Sequence, residues 1–388
     1  MRQPVSDRTP RGRLGPERVS SCSRRGDSLL AGIVALACAW VTPAEPAAPP
    51  PAVASSIVCS GFVFERAPFA SAHASTIVET REGLLAAWFG GTEEGHADVS
   101  VWTARHDGTG WLPPVLVAEG RQPDGGRFPC WNPVLFQPSS GPLLLFYKVG
   151  PSPRDWWGLV RASADQGRSW SEARKLPEGI LGPIRAKPVE LPGGVLLAGS
   201  STEHAGWVVH MERATLSEAS APSSWSKSGP LNDPKAFEAI QPTILEHSPT
   251  RLQILCRSRQ RVVTEAWSED GGLTWSVMTA TTLPNPSAGI DALRLADGRL
   301  LLVHNPTTSG RSRLEVAVSR DGRSWRSAVV LEDQPGEYSY PALVQARDGR
   351  VHVTYTWRRE RIKHVVLDPA AVVDRSIRQG LTDTPPRE

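Results

Sequence analysis

A motif ending in tryptophan recurs along the chain, and its spacing limits the fold more than any other feature of the sequence. The pattern S-x-D-x-G-x-x-W spans residues 163–170 and 268–275, and a version one residue shorter spans 319–325. Degraded copies end at Trp111 and Trp225, so that the five tryptophans follow one another at intervals of 50 to 59 residues. A repeat of this length indicates one supersecondary unit copied along the chain.

The residue types in this motif are those of a β-hairpin turn. An Asp side chain accepts hydrogen bonds from nearby backbone N–H groups, and Gly adopts the left-handed conformation that a tight turn needs. The tryptophan can then pack beneath the turn. We therefore interpret the motifs as hairpin closures rather than ligand sites, and we expect Trp170 and Trp275 to be largely buried.

A second repeat runs in phase with the first and gives the number of units. Six polar residues are each followed by Pro or Ala, an apolar strand, a turn and another strand: His73, Asn132, Lys187, Gln241, Asp291 and Tyr340. With 35 Pro and 34 Gly, the chain has no long helical periodicity. The sequence predicts an all-β, six-bladed β-propeller with hairpin turns of this motif, whose strand at 58–65 completes the last blade.

The first 54 residues differ from the rest in composition. Arg24 and Arg25 precede an apolar run at 29–41, and residues 42–54 are rich in Ala and Pro. This order is typical of an export signal followed by a tether, with a short N-terminal membrane anchor as the alternative. We predict a signal or anchor and tether at 1–54, one propeller domain at 55–370 and a tail at 371–388. The protein is expected to be periplasmic or extracellular.

Charge and cysteine usage exclude several classes of function. Positions 1–46 hold seven Arg and four acidic residues, which account for the whole net charge of +3. The remainder has no basic excess that would favour nucleic acid. Cys59, Cys130 and Cys256 have the spacing of neither a disulfide framework nor a metal site. We predict no metal and no cofactor.

The in-phase polar residues are the candidates for a functional site. Each begins the innermost strand of a blade, so the six are expected to surround one mouth of the central channel. All six differ, as in a single asymmetric site built on a symmetric scaffold. The alternative is six unrelated, solvated polar residues.

Further groups are expected at the same face. They are Arg185, Arg257, Arg311, Tyr338 and the acidic loop at 90–98, which carries Glu93, Glu94 and Asp98. Arginine binds carboxylates in a bidentate manner, and neighbouring Tyr or carboxyl groups can attack or transfer protons. The set indicates a substrate that bears a carboxylate.

Several stretches carry a family resemblance, among them residues 71–76, 182–188, 241–247 and 336–341. Over residues 60–368 the chain resembles the sialidase superfamily, in particular the bacterial BNR/Asp-box proteins known as predicted neuraminidases. The resemblance implies that Arg257 and Arg311 belong to a triad that binds the substrate carboxylate. It implies Tyr340 or Tyr338 as the nucleophile, and Asp98, Glu94 or Glu93 as the acid.

Two positions depart from that family pattern. His73 stands where the first arginine of the triad is expected, and Gln241 where a glutamate partners the tyrosine. The leading hypothesis is a sialidase-like glycoside hydrolase that releases a terminal acidic sugar, with Arg257, Arg311 and Lys187 on the carboxylate. A uronate-directed glycosidase or lyase that uses a Tyr–His pair is the second.

The third hypothesis is a glycan-binding propeller without catalysis. It would place aromatic platforms at the channel mouth, for which Trp131, Trp156, Trp157 and Trp357 are the candidates. All three hypotheses share an acidic glycan as the partner.

Overall fold

Six antiparallel sheets of four strands each make up the part of the chain that the structure, a computed structural model, describes: residues 55–373. The one helix in this range is a short 3-10 turn at Pro369–Ala371. Nothing helical within 55–373 has the length and apolar character needed to cross a membrane. The predicted six-bladed propeller is confirmed. The predictions for 1–54, and most of the tail from 371, lie outside the described residues and stay predictions.

Residues 55–373 form 24 strands, with no helix between one strand and the next. In the first half of the chain they are β1 Ile57–Phe62, β2 Ser71–Thr80, β3 Gly83–Gly91, β4 Ser100–Arg105, β5 Val115–Ala118, β6 Cys130–Phe136, β7 Leu143–Val149, β8 Trp157–Ser163, β9 Arg174–Lys175, β10 Val189–Leu191, β11 Val195–Thr202 and β12 Val208–Thr215. In the second half they are β13 Ser223–Ser228, β14 Ala239–Glu246, β15 Leu252–Ser258, β16 Val262–Ser268, β17 Thr279–Pro284, β18 Asp291–Arg294, β19 Leu300–His304, β20 Leu314–Ser319, β21 Arg326–Glu332, β22 Tyr338–Gln345, β23 Val351–Trp357 and β24 Arg361–Leu367.

The first five blades each use four consecutive strands, starting with β2, β6, β10, β14 and β18. The sixth blade has the order β1-β24-β23-β22, so its outermost strand comes from the N-terminal end of the domain. Ile57 lies opposite Leu367 and Phe62 opposite Lys363. The N-terminal strand thus closes the ring, as the sequence predicted, and gives the sixth blade four strands, like the others.

The hydrophobic core is distributed between neighbouring blades. Leu85 of the first blade shares a buried cluster with Leu145 of the second, and Leu255 of the fourth with Leu302 of the fifth. Similar clusters join the second blade to the third, the third to the fourth and the fifth to the sixth. At the closure, Trp88 of the first blade packs with residues of the sixth. Each blade therefore buries its two faces only against its neighbours.

The repeated motifs form the turns that lead into the outermost strands. In the turn between β8 and β9, Asp165 accepts hydrogen bonds from the backbone N–H groups of Arg168 and Ser169 at 3.1 and 2.9 Å. Asp270 makes the same kind of contact with the N–H of Thr274 at 2.9 Å. Trp170 and Trp275 pack against the cores between the blades with most of their surface covered, as expected, and the rest of each indole lies at the solvated rim of the ring.

Near the channel, the innermost strands of four blades break their register. Each has a bulge whose first residue is left-handed: Ala74, Asn132, Gln241 or Tyr340, with φ between 38° and 58°. In three of them proline follows. The sequence analysis took His73 as the residue of the first blade equivalent to Asn132, Gln241 and Tyr340. This was wrong by one residue, because Ala74 occupies the bulge. No proline marks the bulge there, so the sequence pattern could not locate it.

A charged cluster is buried between the second and third blades. Lys148 of β7 is fully buried and donates a hydrogen bond to the carbonyl of Pro183. Burial lowers the pKa of Lys148 to about 7, although the charge of Glu212 acts in the opposite direction. Glu212 of β12 is also buried and accepts hydrogen bonds from the N–H groups of Leu181 and Gly182 at 3.0 and 2.6 Å.

Replacing Trp275 with alanine should lower the free energy of unfolding by about 2 kcal/mol. This is less than the ~3–5 kcal/mol of a fully buried tryptophan, since part of the indole faces solvent. Urea denaturation followed by circular dichroism measures the change. Leu273→Ala in the same turn is the control: Leu273 is 62% exposed, and its removal should leave stability unchanged. Equal stability of the two variants would contradict the packing role of the tryptophan.

Lys148→Met should remove a pH dependence of stability. The pKa of Lys148 in the folded protein is about 7, below its ordinary value of 10.5, so between these pH values the unfolded chain binds more protons. Stability of the parent should therefore rise with pH in this window, by at most about 1.4 kcal/mol per pH unit from this group. Urea unfolding at several pH values between 6.5 and 9.5 gives the two slopes. Identical slopes in parent and variant would show that Lys148 does not titrate there.

Candidate active site

Tyr340 lies at the centre of the candidate site. It occupies the bulge of β22 in the sixth blade, with only 8% of its surface exposed. Its hydroxyl accepts a hydrogen bond from Nη1 of Arg257 at 2.5 Å, and the same nitrogen donates to Oε1 of Gln241 at 3.2 Å. Arg257 therefore links the tyrosine to the residue that stands where the family resemblance implied a glutamate.

Three guanidinium groups from three other blades surround the Tyr340 ring. Arg185, Arg257 and Arg311 lie 5.4, 5.7 and 5.9 Å from its centroid. Arg185 is buried and held by the carbonyls of Ile290, at 3.1 Å, and Pro341. The Nε atoms of Arg185 and Arg257 are buried and have no hydrogen-bond partner within residues 55–373. Each of these two guanidinium groups thus has one buried N–H donor that no protein group in this range uses.

His73 packs against the tyrosine from the first blade. The two ring centroids are 4.2 Å apart, and the side chain is almost completely buried. Burial, followed by the charges of Arg359, Arg311, Arg185 and Arg257, lowers the pKa of His73 well below its ordinary value. Neither ring nitrogen has a hydrogen-bond partner in the described part of the chain. A neutral imidazole offers one donor and one acceptor, and leaving both unused in a protein interior is unfavourable.

Arg359 completes the group of cations, and sequence reasoning missed it. It lies in the turn between β23 and β24, where its carbonyl accepts a hydrogen bond from Ala72 at 2.8 Å. Its guanidinium binds Glu337 at 3.0 Å and also Glu94. Glu337 is shared with Arg311 at 3.0 Å. The sequence around Arg359 is a charged hairpin turn with nothing to mark it as part of a site.

The acidic loop of the first blade borders this group, and two of its three carboxylates, those of Asp98 and Glu94, have partners. Asp98 accepts hydrogen bonds from the N–H and hydroxyl of Thr92 at 3.0 and 2.8 Å and from His96 at 2.7 Å. Burial acts to raise the pKa of Asp98, but the bonds from Thr92 and His96 outweigh it and lower the pKa to about 2. In this arrangement Asp98 is ionised at neutral pH, and Glu94 is paired with Arg359.

Lys187 and Asp291 form a pair of their own. Nζ of Lys187 lies 3.3 Å from Oδ2 of Asp291, which also accepts a hydrogen bond from the N–H of Leu343 at 2.9 Å. The other oxygen of Asp291 accepts from the hydroxyl of Thr243 at 2.9 Å. Asp291 is buried and connects the fifth blade to three others. Its geometry is that of a residue that holds the inner strands together.

The side chains of the remaining two candidates have other surroundings. Tyr338 is buried in the core between the fifth and sixth blades, near Trp357, and its hydroxyl is 3.5 Å from the carbonyl of Pro335. Asn132 occupies the bulge of the second blade beside the buried Trp131. Of the two tyrosines that the sequence left open, the structure places Tyr340 among the guanidinium groups.

Glu203, just after β11, is a second residue that sequence reasoning missed. Burial raises the pKa of its carboxyl, although Arg257 and a hydrogen bond with Trp207 act to lower it. Trp207 in turn stacks on Arg257, whose guanidinium carbon is 4.9 Å from the ring centroid. Glu203 is thus a carboxyl group beside Arg257 that is suited to carry a proton.

Residues 55–373 contain no group of three or more His, Cys, Asp or Glu side chains arranged to hold a metal ion. The site instead combines a tyrosine, a neutral histidine, four arginines and a carboxyl of raised pKa. Guanidinium groups recognise carboxylates, and the other three groups can attack or exchange protons.

Comparisons with known proteins agree with this architecture. The model of the BNR repeat-like domain family matches residues 82–353, most of the propeller. No sequence among functionally curated proteins matches the chain.

Several solved structures share the fold. A protein of unknown function from Dyadobacter fermentans is 19% identical over 80% of this chain and 98% of its own, with a TM-score of 0.66. The NanB sialidase of Streptococcus pneumoniae is 12% identical over 82% and 71%, with a TM-score of 0.64. The intramolecular trans-sialidase of Ruminococcus gnavus, in complex with oseltamivir carboxylate, is 13% identical over 82% and 99%, with a TM-score of 0.65. At such identities the likeness shows the fold.

Proposed function

The chain belongs to the BNR repeat-like domain family, within the sialidase superfamily, and on that premise we propose that it is a glycoside hydrolase of the sialidase type that releases a terminal acidic sugar from a glycan. The observation that carries the proposal is the buried Tyr340 with Arg185, Arg257 and Arg311 around its ring. Three cations at one tyrosine suit a substrate whose carboxylate lies next to the bond that breaks.

The arginines divide into two groups in this proposal. Arg311 and Arg359 share Glu337 and therefore hold the rim of the site in place. Arg185 and Arg257 keep buried Nε donors without protein partners, and they bind the substrate carboxylate. A bidentate guanidinium–carboxylate contact fixes the orientation of the sugar as well as its charge.

The reaction then follows the two-step course of a retaining glycosidase. The oxygen of Tyr340 attacks the anomeric carbon and passes its phenolic proton to water, while a carboxylic acid gives its proton to the departing glycosidic oxygen. Arg257 donates to the phenol oxygen and stabilises the negative charge that develops there as the proton leaves. In the second step a water oxygen bonds to the anomeric carbon, one proton of that water returns to the carboxylate, and the departing tyrosine oxygen regains its proton from water.

Glu203 is the acid that the contacts favour. Burial raises its pKa, so its carboxyl stays protonated to higher pH than an exposed one. The family resemblance implied Asp98 and Glu94 instead, but against the effect of burial the bonds from Thr92 and His96 lower the pKa of Asp98 to about 2, and Glu94 is paired with Arg359. Because the first residues resemble an export signal, we place the activity outside the cytoplasm, on glycans that the protein meets there.

Tyr340→Phe should reduce turnover of a sialoside or another acidic aryl glycoside by at least about a thousandfold, since the nucleophilic oxygen is lost. Release of the aryl group followed by fluorescence measures the rate. Tyr338→Phe is the matched control: its hydroxyl has only a distant contact at 3.5 Å, and the variant should keep parental turnover. Melting curves of both variants establish that they fold. Loss of turnover in the control, or full turnover in Tyr340→Phe, would contradict the assignment.

A second function is favoured by one specific observation: the neutral, unpartnered His73 against Tyr340, with Gln241 in place of a carboxylate. In a uronate lyase, a base removes the proton at C5, the C4–O bond breaks and an acid protonates the departing oxygen, so that a C4–C5 double bond remains. A neutral imidazole and a phenol can fill these two roles while arginines neutralise the carboxylate.

His73→Gln separates the two reactions. Glutamine keeps a donor and an acceptor but cannot exchange protons, so hydrolysis should change by less than about tenfold and elimination should fall by more than a hundredfold. The assay follows released acidic sugar and the ultraviolet absorbance of an unsaturated product on sialosides and uronate glycans. Release of acidic sugar without an increase in ultraviolet absorbance supports the hydrolase. An increase in absorbance with the parent that is lost in His73→Gln supports the lyase. Binding to these glycans without either product would identify a glycan-binding propeller.

A further inference from the structure

A cleft beside the candidate site has a composition of its own. It lies between the loop before β8 in the second blade and the strands of the third blade, and it encloses about 600 Å³. Its wall contains Trp156 and Trp157, and the buried side chains of Leu176 and Ile180 also line it. We propose that this cleft is a second binding site, which takes the sugar units that follow the acidic sugar at Tyr340, where those units carry carboxylate or sulfate groups.

The first observation is the charge at the rim. Arg154, Lys175 and Lys227 line the cleft, with Glu178 as the single acidic residue among its lining side chains. Nζ of Lys175 lies 5.2 Å from the Trp157 ring centroid, and Nζ of Lys227 is 3.5 Å from the carbonyl of Gly179. All three cationic side chains belong to exposed residues. They present positive charge above an aromatic and apolar surface.

The second observation is an aromatic path from the candidate site to the cleft. His73 contacts Phe89 at 5.4 Å between ring centroids, Phe89 contacts Trp131 at 6.2 Å, and Trp131 contacts Trp156 at 6.0 Å. Three ring contacts therefore join the histidine beside Tyr340 to the wall of the cleft. Phe89 and Trp131 are buried, so these contacts show that the wall of the cleft and the candidate site adjoin through the interior, and the partly exposed indoles that can contact a sugar are those of Trp156 and Trp157.

The third observation is a shared boundary. Thr202 and His204 line the cleft, while Trp207 of the same segment stacks on Arg257, whose guanidinium carbon lies 4.9 Å from the ring centroid. The charge of Arg154, on the cleft side, also acts on Glu203. One short segment therefore separates the two sites. A glycan whose terminal sugar is at Tyr340 can continue past Glu203 into the cleft.

This inference rests on the proposed function for which end of the glycan lies at Tyr340. The binding of an acidic oligosaccharide in the cleft does not itself require catalysis. Binding is therefore measured by calorimetry on Tyr340→Phe, in which turnover plays no part. The probes are a chondroitin sulfate hexasaccharide, a polygalacturonate hexasaccharide and, as the uncharged comparison, chitohexaose. We expect both acidic probes to bind at least ten times more tightly than chitohexaose, and their binding to weaken as salt is added.

Matched substitutions then locate the binding. Lys175→Ala with Lys227→Ala should weaken the acidic probes at least tenfold, whereas Lys235→Ala, an exposed lysine outside the cleft lining, should leave binding within twofold. Trp156→Ala should remove the change in tryptophan fluorescence on binding. The proposal would be overturned if no probe bound or if all three probes bound equally tightly. It would also be overturned if Lys235→Ala lost as much affinity for the acidic probes as Lys175→Ala with Lys227→Ala.

The failure of one proposal can be distinguished from the failure of the other. If an acidic aryl glycoside, which has no further sugars, is turned over but the cleft variants bind as the parent does, the proposed function stands and the cleft site is wrong. If the cleft binds acidic oligosaccharides and no glycan is cleaved, the cleft site stands and the catalytic role of Tyr340 is wrong.

Discussion

The pairing of β1 with β24 is the interaction on which the rest of the structure depends. Every blade buries its faces only against the two neighbouring blades. The pairing of β1 with β24 is where the N-terminal strand completes the sixth blade and so closes the ring. The hydrogen bonds between Ile57–Phe62 and Arg361–Leu367 join the two ends of the described domain. Because a propeller has no core apart from these blade contacts, closure of the ring fixes the position of each blade relative to all others.

The candidate site is a consequence of this closure. Tyr340 and Arg359 come from the sixth blade, His73 from the first, and Arg185, Arg257 and Arg311 from the third, fourth and fifth. Bringing four guanidinium groups and a neutral imidazole together in a buried space is electrostatically unfavourable. Neighbouring carboxylates, above all Glu337, offset part of that repulsion. A bound carboxylate would offset more, which is why such crowding points to a ligand.

The departures of this chain from the sialidase pattern that its sequence resembles fall at the candidate site. Gln241 contacts Arg257 where the resemblance implied a glutamate beside the tyrosine, and His73 contributes no positive charge where an arginine was implied. Arg185 and Arg359 supply cations from other elements of the ring. The positive charge of the candidate site is thus kept while the groups that could transfer protons differ, and the adjoining cleft is where we propose that longer acidic glycans bind.

The sequence by itself determined the repeating hairpins, the number of blades and the strand that closes the ring, because turn chemistry and strand alternation are local properties. Tyr338 and Tyr340 are two residues apart, and in a regular strand they would face the same side. The left-handed bulge at Tyr340 separates them, sending one to the arginines and the other to the core. Arg359 and Glu203 belong to ordinary loops in the sequence. Only the tertiary structure decides that Arg359 pairs with Glu94 of the first blade and that the charge of Arg257 in the fourth blade acts on Glu203 of the third, since these interactions join different blades.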